Sequence, residues 1–233
     1  MSSGTAEASE PNPALHLTPP ADSGRNAHPV MAVQVSLLFG KPEGVGVGQT
    51  FGHPARFAIT LKDFWGEGDA IRVVDVYAAD RWLTCDDNHA YVPHFAGMLA
   101  RAVRRLINEP GYRGAGCPFP DLSPADNHRR LCSEASEDNS RHLDYRFMDW
   151  GPTADNVRMH YFREGDTAFL PFSFWRAEHH DPAELEQVFV AELPWRELAS
   201  VLHDAAWTLM WVWADRSQWP KHAEPGAAPD TAR

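Results

Sequence analysis

The feature of this sequence that most constrains its fold is the order of its hydrophobic periodicities. Apolar and polar residues alternate in Arg56–Lys62, and Ile71–Tyr77 is a second short apolar run, so both segments predict β-strands. From Val92 to Leu106, apolar residues instead recur three and four positions apart, as on one face of a helix. The same two patterns then recur, strands first and a helix last. This order predicts a single α+β domain, mainly an antiparallel sheet with two long helices.

The bounds of the remaining elements follow from the same patterns and from their turn residues. Gly165 supplies a tight turn between two of the later strands, and Ser123-Pro124 begins a short helix that runs through Cys132. Candidate N-cap residues of the first long helix are Asp86, Asp87 and Asn88. Further strands are predicted at Leu143–Trp150, Val157–Arg163, Thr167–Phe174 and Gln187–Glu192. The second long helix runs from Pro194 to about Trp213, with buried positions at Leu198, Val201, Leu202, Ala205, Leu209 and Val212.

Composition divides the chain into a domain and two tails. Residues 1–30 are rich in Ala, Pro and Ser and are predicted to be disordered, as are residues 215–233. The domain is expected to span residues 31–214, with an extra strand at Val33–Phe39 in front, and Met31 is a candidate alternative start. The sequence has no secretory signal pattern and no long apolar run. We therefore expect a cytoplasmic protein.

Charge and cysteine content restrict the partners and cofactors. The formal net charge of −11 repels nucleic-acid backbones and anionic membranes, so we expect neither as a partner, whereas a basic protein would be attracted. Cys85, Cys117 and Cys132 form no CxxC pair. This argues against a disulfide framework and against a thiolate zinc site, and it favours a reducing compartment.

A glycine-rich segment between two Phe-Gly-x-Pro copies has the composition of a phosphate-binding loop. Gly44, Gly46 and Gly48 lie between Phe39–Pro42 and Phe51–Pro54. However, no Gly-Lys-Ser/Thr follows, and the next predicted element is a strand, which offers no helix N-terminus to a phosphate. The segment is interpreted as a flexible connection, and no cofactor is predicted.

The twelve histidines raise the question of a metal site. No HExxH motif is present, and the tightest cluster is Asp87, His89 and His94. A helix N-cap with incidental histidines is the preferred interpretation, and His179-His180-Asp181 is interpreted as a solvated turn before Pro182. There is also no GxSxG motif. We therefore predict no catalytic residue and no metal, with a small metal-dependent hydrolase using the Asp87, His89 and His94 cluster as the alternative.

Two tryptophans of the last helix are candidates for partner contact. Trp207 and Trp211 are four residues apart and lie outside the helix's main apolar stripe. They either form a second packing layer or anchor a partner, as large exposed aromatic residues commonly do. The acidic residues near the turns have two interpretations. They complement the charge of a basic partner, or they are ordinary solvated turn residues. These are Asp144, Asp149, Asp155, Glu164 and Asp166.

The two ends of the domain resemble a family of bacterial immunity proteins. The segment Phe51-Gly-His-Pro-Ala-Arg-Phe-Ala-Ile59, followed by Leu61 and Trp65, is similar to the (I/F)-G-x-P-x-x-F-A-I strand that opens this family. The far end is also similar, with a hairpin at Val157–Phe174, the sequence Glu192-Leu-Pro194 and a terminal helix. The resemblance covers about residues 50–212. This chain departs from the family pattern in the residues that precede the motif and in the long connection at 109–141.

The resemblance implies a function and a partner. Such proteins belong to polymorphic or contact-dependent toxin systems, and they neutralise a cognate secreted toxin by binding it in the cytoplasm. It implies no cofactor and no catalysis, and the partner would be the toxin domain. The alternatives are the metal-dependent hydrolase and an accessory component of a secretion system.

Overall fold

The structure is a computed structural model that describes residues 48–64, 70–109, 116–133 and 140–217. The predictions for residues 1–30, for the strand at Val33–Phe39 and for Gly44 and Gly46 of the glycine-rich segment lie outside the described residues. So does most of the predicted C-terminal tail of 215–233, whose first three residues belong to the last helix. Within the described part, two antiparallel sheets and two long helices share one hydrophobic core. The predicted α+β class is confirmed.

The first sheet contains five strands from the N-terminal half of the domain. Their bounds are Gln49–His53 (β1), Phe57–Phe64 (β2), Ile71–Ala78 (β3), Arg81–Trp82 (β4) and His89–Tyr91 (β5). The strand order is β1-β2-β3-β4, and β5 also pairs with β3. Phe57, Ile59 and Leu61 of β2 are fully buried, as their alternation predicts, whereas Lys62 is exposed.

The second sheet also contains five strands, in the order β10-β9-β7-β6, and β8 pairs with β9. Their bounds are Arg146–Phe147 (β6), Val157–His160 (β7), Phe162–Glu164 (β8), Thr167–Phe174 (β9) and Phe189–Pro194 (β10). The predicted turn between β8 and β9 is present, and Gly165 adopts φ of +58° there. Most of β9 is buried on both faces, including Ser173.

The helices of the described chain pack on both sheets. Their bounds are Val92–Asn108 (α1), Pro124–Ser133 (α2), Ser140–Tyr145 (α3) and Trp195–Ser217 (α4). The long helices α1 and α4 pack on each other, and α4 also contacts strands of both sheets. Every predicted stripe residue of α4 is buried except Val212, which is half-buried. The α2 helix covers the outer face of β9. The predicted Ser123 comes directly before its first residue and caps it, because its Oγ accepts from the Asp126 N–H.

Three predictions about element bounds are wrong. The α1 helix begins at Val92, and its N-cap residue Tyr91 makes no side-chain cap, so Asp86, Asp87 and Asn88 do not cap it. Instead, β5 leads directly into the helix, and Pro93 occupies its first turn. Leu143–Trp150 is mostly not a strand, because α3 ends at Tyr145 and Met148 adopts φ of +61°. Val157–Arg163 is two strands, since Tyr161 separates β7 from β8.

Trp150 links these elements within the core. Its ring makes edge-to-face contacts with Phe57 of β2, Phe95 of α1 and Phe147 of β6. The Trp150 side chain is 3% exposed. The two sheets and α1 therefore meet around one aromatic residue that the sequence pattern assigned to a strand.

Candidate functional site

The predicted metal-ligand cluster is not formed. Asp87 Oδ1 accepts a hydrogen bond from the His89 N–H, and the His89 ring nitrogen lies 3.6 Å from the same oxygen. His94 lies on α1 beside Gly151 and not with this pair. The groups of potential ligands that do converge in the described chain include none of these three residues. The structure therefore removes the basis of the hydrolase alternative in its predicted form.

The two candidate tryptophans are not fully exposed. Trp207 and Trp211 are half-buried, as expected for residues beside the main stripe of α4. The large apolar side chains that are exposed in the described chain lie elsewhere. They are Trp82, Tyr91, Ile107, Leu143 and Trp175. The role of Trp207 and Trp211 in partner binding stays a prediction.

Three of the five candidate acidic residues are paired with arginine. Asp149 pairs with Arg146 at 3.1 Å and Asp155 with Arg176 at 3.3 Å. Asp166 lies 2.7 Å from Arg196, whereas Asp144 and Glu164 are simply exposed. Because each pair is locally neutral and solvent-exposed, it adds little to the surface potential.

The candidate contacts also lie far apart. The backbone carbonyl of Asp166 accepts a hydrogen bond from the backbone N–H of Trp195, at the start of α4. Trp211 lies sixteen residues further along the same helix, which is about 24 Å at 1.5 Å per residue. A partner that touched both would need an extended surface.

A cationic cleft of about 220 Å³ occupies the surface next to β7. Arg146, Arg158 and Arg176 line it together with Trp175 and Asp155. Arg158 and Arg176 both lie over the Trp175 ring, at 4.9 and 5.6 Å from its centroid. Because Arg146 and Arg176 are paired with Asp149 and Asp155, the cleft carries less positive charge than its three arginines alone would give.

A buried histidine chain runs behind this cleft. His142 Nδ1 lies 2.8 Å from His160 Nε2, and His160 Nδ1 lies 2.8 Å from His128 Nδ1. His128 Nε2 then lies 3.0 Å from the Ser173 hydroxyl and 3.5 Å from Cys132 Sγ. Each ring nitrogen in these contacts has a partner, so neutral imidazoles form a continuous hydrogen-bonded chain without an ion.

The surroundings of this histidine chain disfavour positive charge. Burial, together with the charges of His142, Arg129 and Arg158, lowers the pKa of His128 to about 3. Burial and the neighbouring histidines and arginines lower the pKa of His160 to about 2. A bound metal cation would meet the same repulsion from Arg146 and Arg158, although His128, Cys132 and His160 are close enough to share an ion. We interpret the chain as structural.

A second cluster brings together residues from both sheets. Cys85 and Asp86 lie between β4 and β5, and His179 lies between β9 and β10. His179 Nδ1 is 3.0 Å from Asp86 Oδ2 and 3.8 Å from Cys85 Sγ. On the other side of the ring, His179 Nε2 lies 3.4 Å from Glu184 Oε2. The predicted solvated turn at His179-His180-Asp181 is therefore wrong for His179, which is 3% exposed.

The Cys85 thiol is not prepared for nucleophilic attack, even with a histidine and carboxylates nearby. Burial and the Asp86 charge raise the pKa of Cys85 to about 12. Catalytic cysteines need the opposite shift, because the thiolate is the nucleophile. The raised pKa of Cys85 therefore distinguishes this cluster from a catalytic cysteine–histidine pair.

Sequence reasoning missed both clusters for different reasons. His128 and Cys132 are four residues apart on α2, a helical spacing that is visible in the sequence. Cys85 and His179 are separated by 94 positions, and no local pattern connects them.

No helix in the described residues has the length and apolar character needed to cross a membrane. No protein-family model and no curated protein matches the chain. Among solved structures, it is similar to the chain in the crystal structure of CdiI from Burkholderia dolosa AUO158, with 17% identity and a TM-score of 0.48. The match covers 67% of this chain and 97% of that chain, and it does not define the family.

Proposed function

We propose that this protein is an immunity protein that neutralises a cognate secreted bacterial toxin in the cytoplasm by binding it tightly, without catalysis. The observation that carries the proposal is the packing of the two segments that resemble the family. The β1–β2 hairpin, which contains Phe51–Ile59, packs directly on α4, which contains the C-terminal part of the resemblance. Gly52 faces Val201 of α4, where a Cβ on the glycine would lie 2.8 Å from Val201 Cγ2. Two motifs about 140 residues apart in sequence thus belong to one structural unit.

The chemistry of the described clusters supports a binding role over an enzymatic one. Cys85 has a raised pKa, and the Asp87, His89 and His94 cluster does not converge. The buried histidine chain is hydrogen-bonded throughout and lies among arginines. Neither the Cys85 thiol, with its raised pKa, nor His128 and His160, with their lowered pKa values, offers an activated nucleophile or a general base near pH 7.

The overall charge supports a basic toxin domain as the partner. A net charge of −11 attracts a basic protein at long range, even where individual acidic residues are paired with arginine. We propose Trp207 and Trp211 as apolar contacts. The acidic contacts that we propose are Asp144, Asp149, Asp155, Glu164 and Asp166.

Co-expression with a toxin tests this proposal. A neighbouring gene for a large secreted protein would supply the candidate toxin as the C-terminal domain of that protein. Expression of this domain in a bacterial host should stop growth, and co-expression of this chain should restore it. Failure of the chain to restore growth, while the chain is present and folded, would contradict the proposal.

The same assay tests the proposed contact residues with a matched pair of variants. Trp211→Ala should weaken the rescue, whereas Trp82→Ala, which removes another accessible tryptophan, should leave it intact. Circular dichroism of both variants would show that they are folded. Equal rescue by both would remove Trp211 from the contact surface.

A further inference from the structure

The cluster of Cys85, Asp86 and His179 has the features of a metal site. A thiol, a carboxylate and an imidazole converge there from the loops of two different sheets. Sulfur and imidazole ligands together are characteristic of zinc. Zn–N and Zn–O bonds of about 2.0–2.1 Å and a Zn–S bond of about 2.3 Å separate tetrahedral ligand atoms by about 3.3–3.6 Å. Asp86 Oδ2 lies 3.0 Å from His179 Nδ1, and Cys85 Sγ lies 3.8 Å from the same nitrogen. Each distance is within about 0.3 Å of this tetrahedral range.

Asn156 and Asp86 both contact the nitrogen of His179 that faces the cluster. Asn156 Oδ1 accepts the backbone N–H of Arg176 at 2.9 Å, so the amide nitrogen faces the cluster. This Nδ2 donates to Asp86 Oδ2 and lies 3.0 Å from His179 Nδ1, and Asp86 Oδ2 lies 3.0 Å from the same ring nitrogen. A metal ion bound here would take the Nδ1 lone pair and replace these hydrogen bonds, and the imidazole proton would then lie on Nε2.

The other face of the ring has the support that a metal ligand needs. A metal-bound imidazole usually donates its second N–H to a carboxylate, which fixes the ring and strengthens the ligand. Glu184 Oε2 lies 3.4 Å from His179 Nε2 and is in position to accept. Glu184 is itself paired with Arg81 at 2.9 Å. Phe174 stacks on the His179 ring with centroids 3.9 Å apart and so restricts its orientation.

Local charge distinguishes this cluster from the histidine chain. Arginines surround the histidine chain, whereas Asp86 and Glu184 place carboxylates next to His179. The Asp86 side chain is 25% exposed, so an ion can enter from solvent. From this geometry we infer that Cys85, Asp86 and His179 bind one zinc ion. The ion joins the β4–β5 loop of the first sheet to the β9–β10 loop of the second.

Zinc and cobalt binding to the full-length, tag-free protein tests the site. After chelation and return to reducing, metal-free buffer, the chain should bind one equivalent of Zn²⁺ and unfold at a higher temperature with it. Co²⁺ in the same site should give the near-ultraviolet charge-transfer absorption of a cobalt–thiolate bond. Absence of zinc binding by the folded wild-type chain would overturn the inference.

The two cysteine–histidine clusters provide the matched control. Cys85→Ser should lose the cobalt–thiolate absorption and weaken zinc binding at least tenfold, whereas Cys132→Ser should keep both. Asp86→Asn repeats the test without altering a thiol, in case Cys85→Ser does not fold. Loss of binding in Cys132→Ser, or unchanged binding in both Cys85→Ser and Asp86→Asn, would overturn the assignment.

Discussion

Gly52 illustrates, at the scale of one residue, how the motif Phe51–Ile59 is constrained by its surroundings. Its φ is +82°, a conformation that side chains with a Cβ rarely adopt. A Cβ at this position would lie 2.2 Å from the Phe57 carbonyl oxygen and 2.8 Å from Val201 Cγ2 of α4. Glycine is therefore required both by the hairpin and by its contact with the last helix.

We predict that Gly52→Ala lowers the free energy of unfolding by more than about 2 kcal/mol, since the left-handed conformation alone costs about 1–2 kcal/mol and the clash adds to it. Gly48→Ala is the control, because Gly48 has φ of +79° but has nothing within 4 Å of its Cβ position. Urea denaturation of both variants measures the difference. Equal destabilisation would mean that the contacts with Phe57 and with α4 add nothing to the cost of the left-handed conformation.

Among the helices and strands, the sequence predicted best those elements whose pattern is local and regular. The bounds of β9 match the predicted Thr167–Phe174, and β2, α1 and α4 lie within a few residues of their predicted positions. Their hydrophobic periodicity reflects burial against one common core. Short elements such as β4, with two residues, leave no such pattern.

The errors arise where tertiary contacts determine the conformation. The apolar residues of Leu143–Trp150 suggested a strand, but Trp150 enters the core from an irregular segment after β6. Asp86 was expected at a helix cap, but it pairs with His179 from the other sheet. Contacts between residues about 90 positions apart leave no trace in a single sequence, so the cluster of Cys85, Asp86 and His179 was not predicted.

The histidine chain links four elements and makes their packing sensitive to pH. It joins α2, α3, β7 and β9 through His128, His142, His160 and Ser173. The charged groups around it are Arg129, Arg146 and Arg158, and Cys132 lies beside it. Burial lowers the pKa of all three histidines, so the folded protein keeps them neutral.

We therefore predict that the protein loses stability on acidification. In the unfolded chain, His128 and His160 take up protons below about pH 6.5, whereas in the folded state they do so only near pH 3 and 2. Their contribution to stability is complete above about pH 6.5 and is lost progressively as the pH falls toward 3. Between pH 7 and pH 5, the loss should be about 2 kcal/mol for each histidine that titrates in this way.

Urea denaturation at pH 7 and pH 5 in the presence of a chelator measures this loss. His128→Gln should reduce the dependence on pH, whereas His203→Gln, at an exposed position on α4, should not. Equal stability of the wild-type protein at the two pH values would contradict the prediction. So would an unchanged pH dependence in His128→Gln.

For the molecule as a whole, the core provides support, and the surface carries the groups available for contact with other molecules. One hydrophobic core unites both sheets with the long helices, so the described chain provides a rigid support. Its surface carries exposed ion pairs, a cationic cleft and accessible aromatic residues within a protein of net charge −11. The proposed binding of a toxin domain would use this surface.

The most direct test of the proposed function is the stoichiometry of toxin inhibition. A fixed concentration of purified toxin domain is titrated with this chain, and the remaining toxin activity is measured. Tight binding without catalysis predicts a linear loss of activity that reaches zero at one chain per toxin, with recovery of a one-to-one complex. Complete inhibition by a small fraction of an equivalent would indicate catalysis, and undiminished toxin activity at an excess of the chain would contradict the immunity function itself.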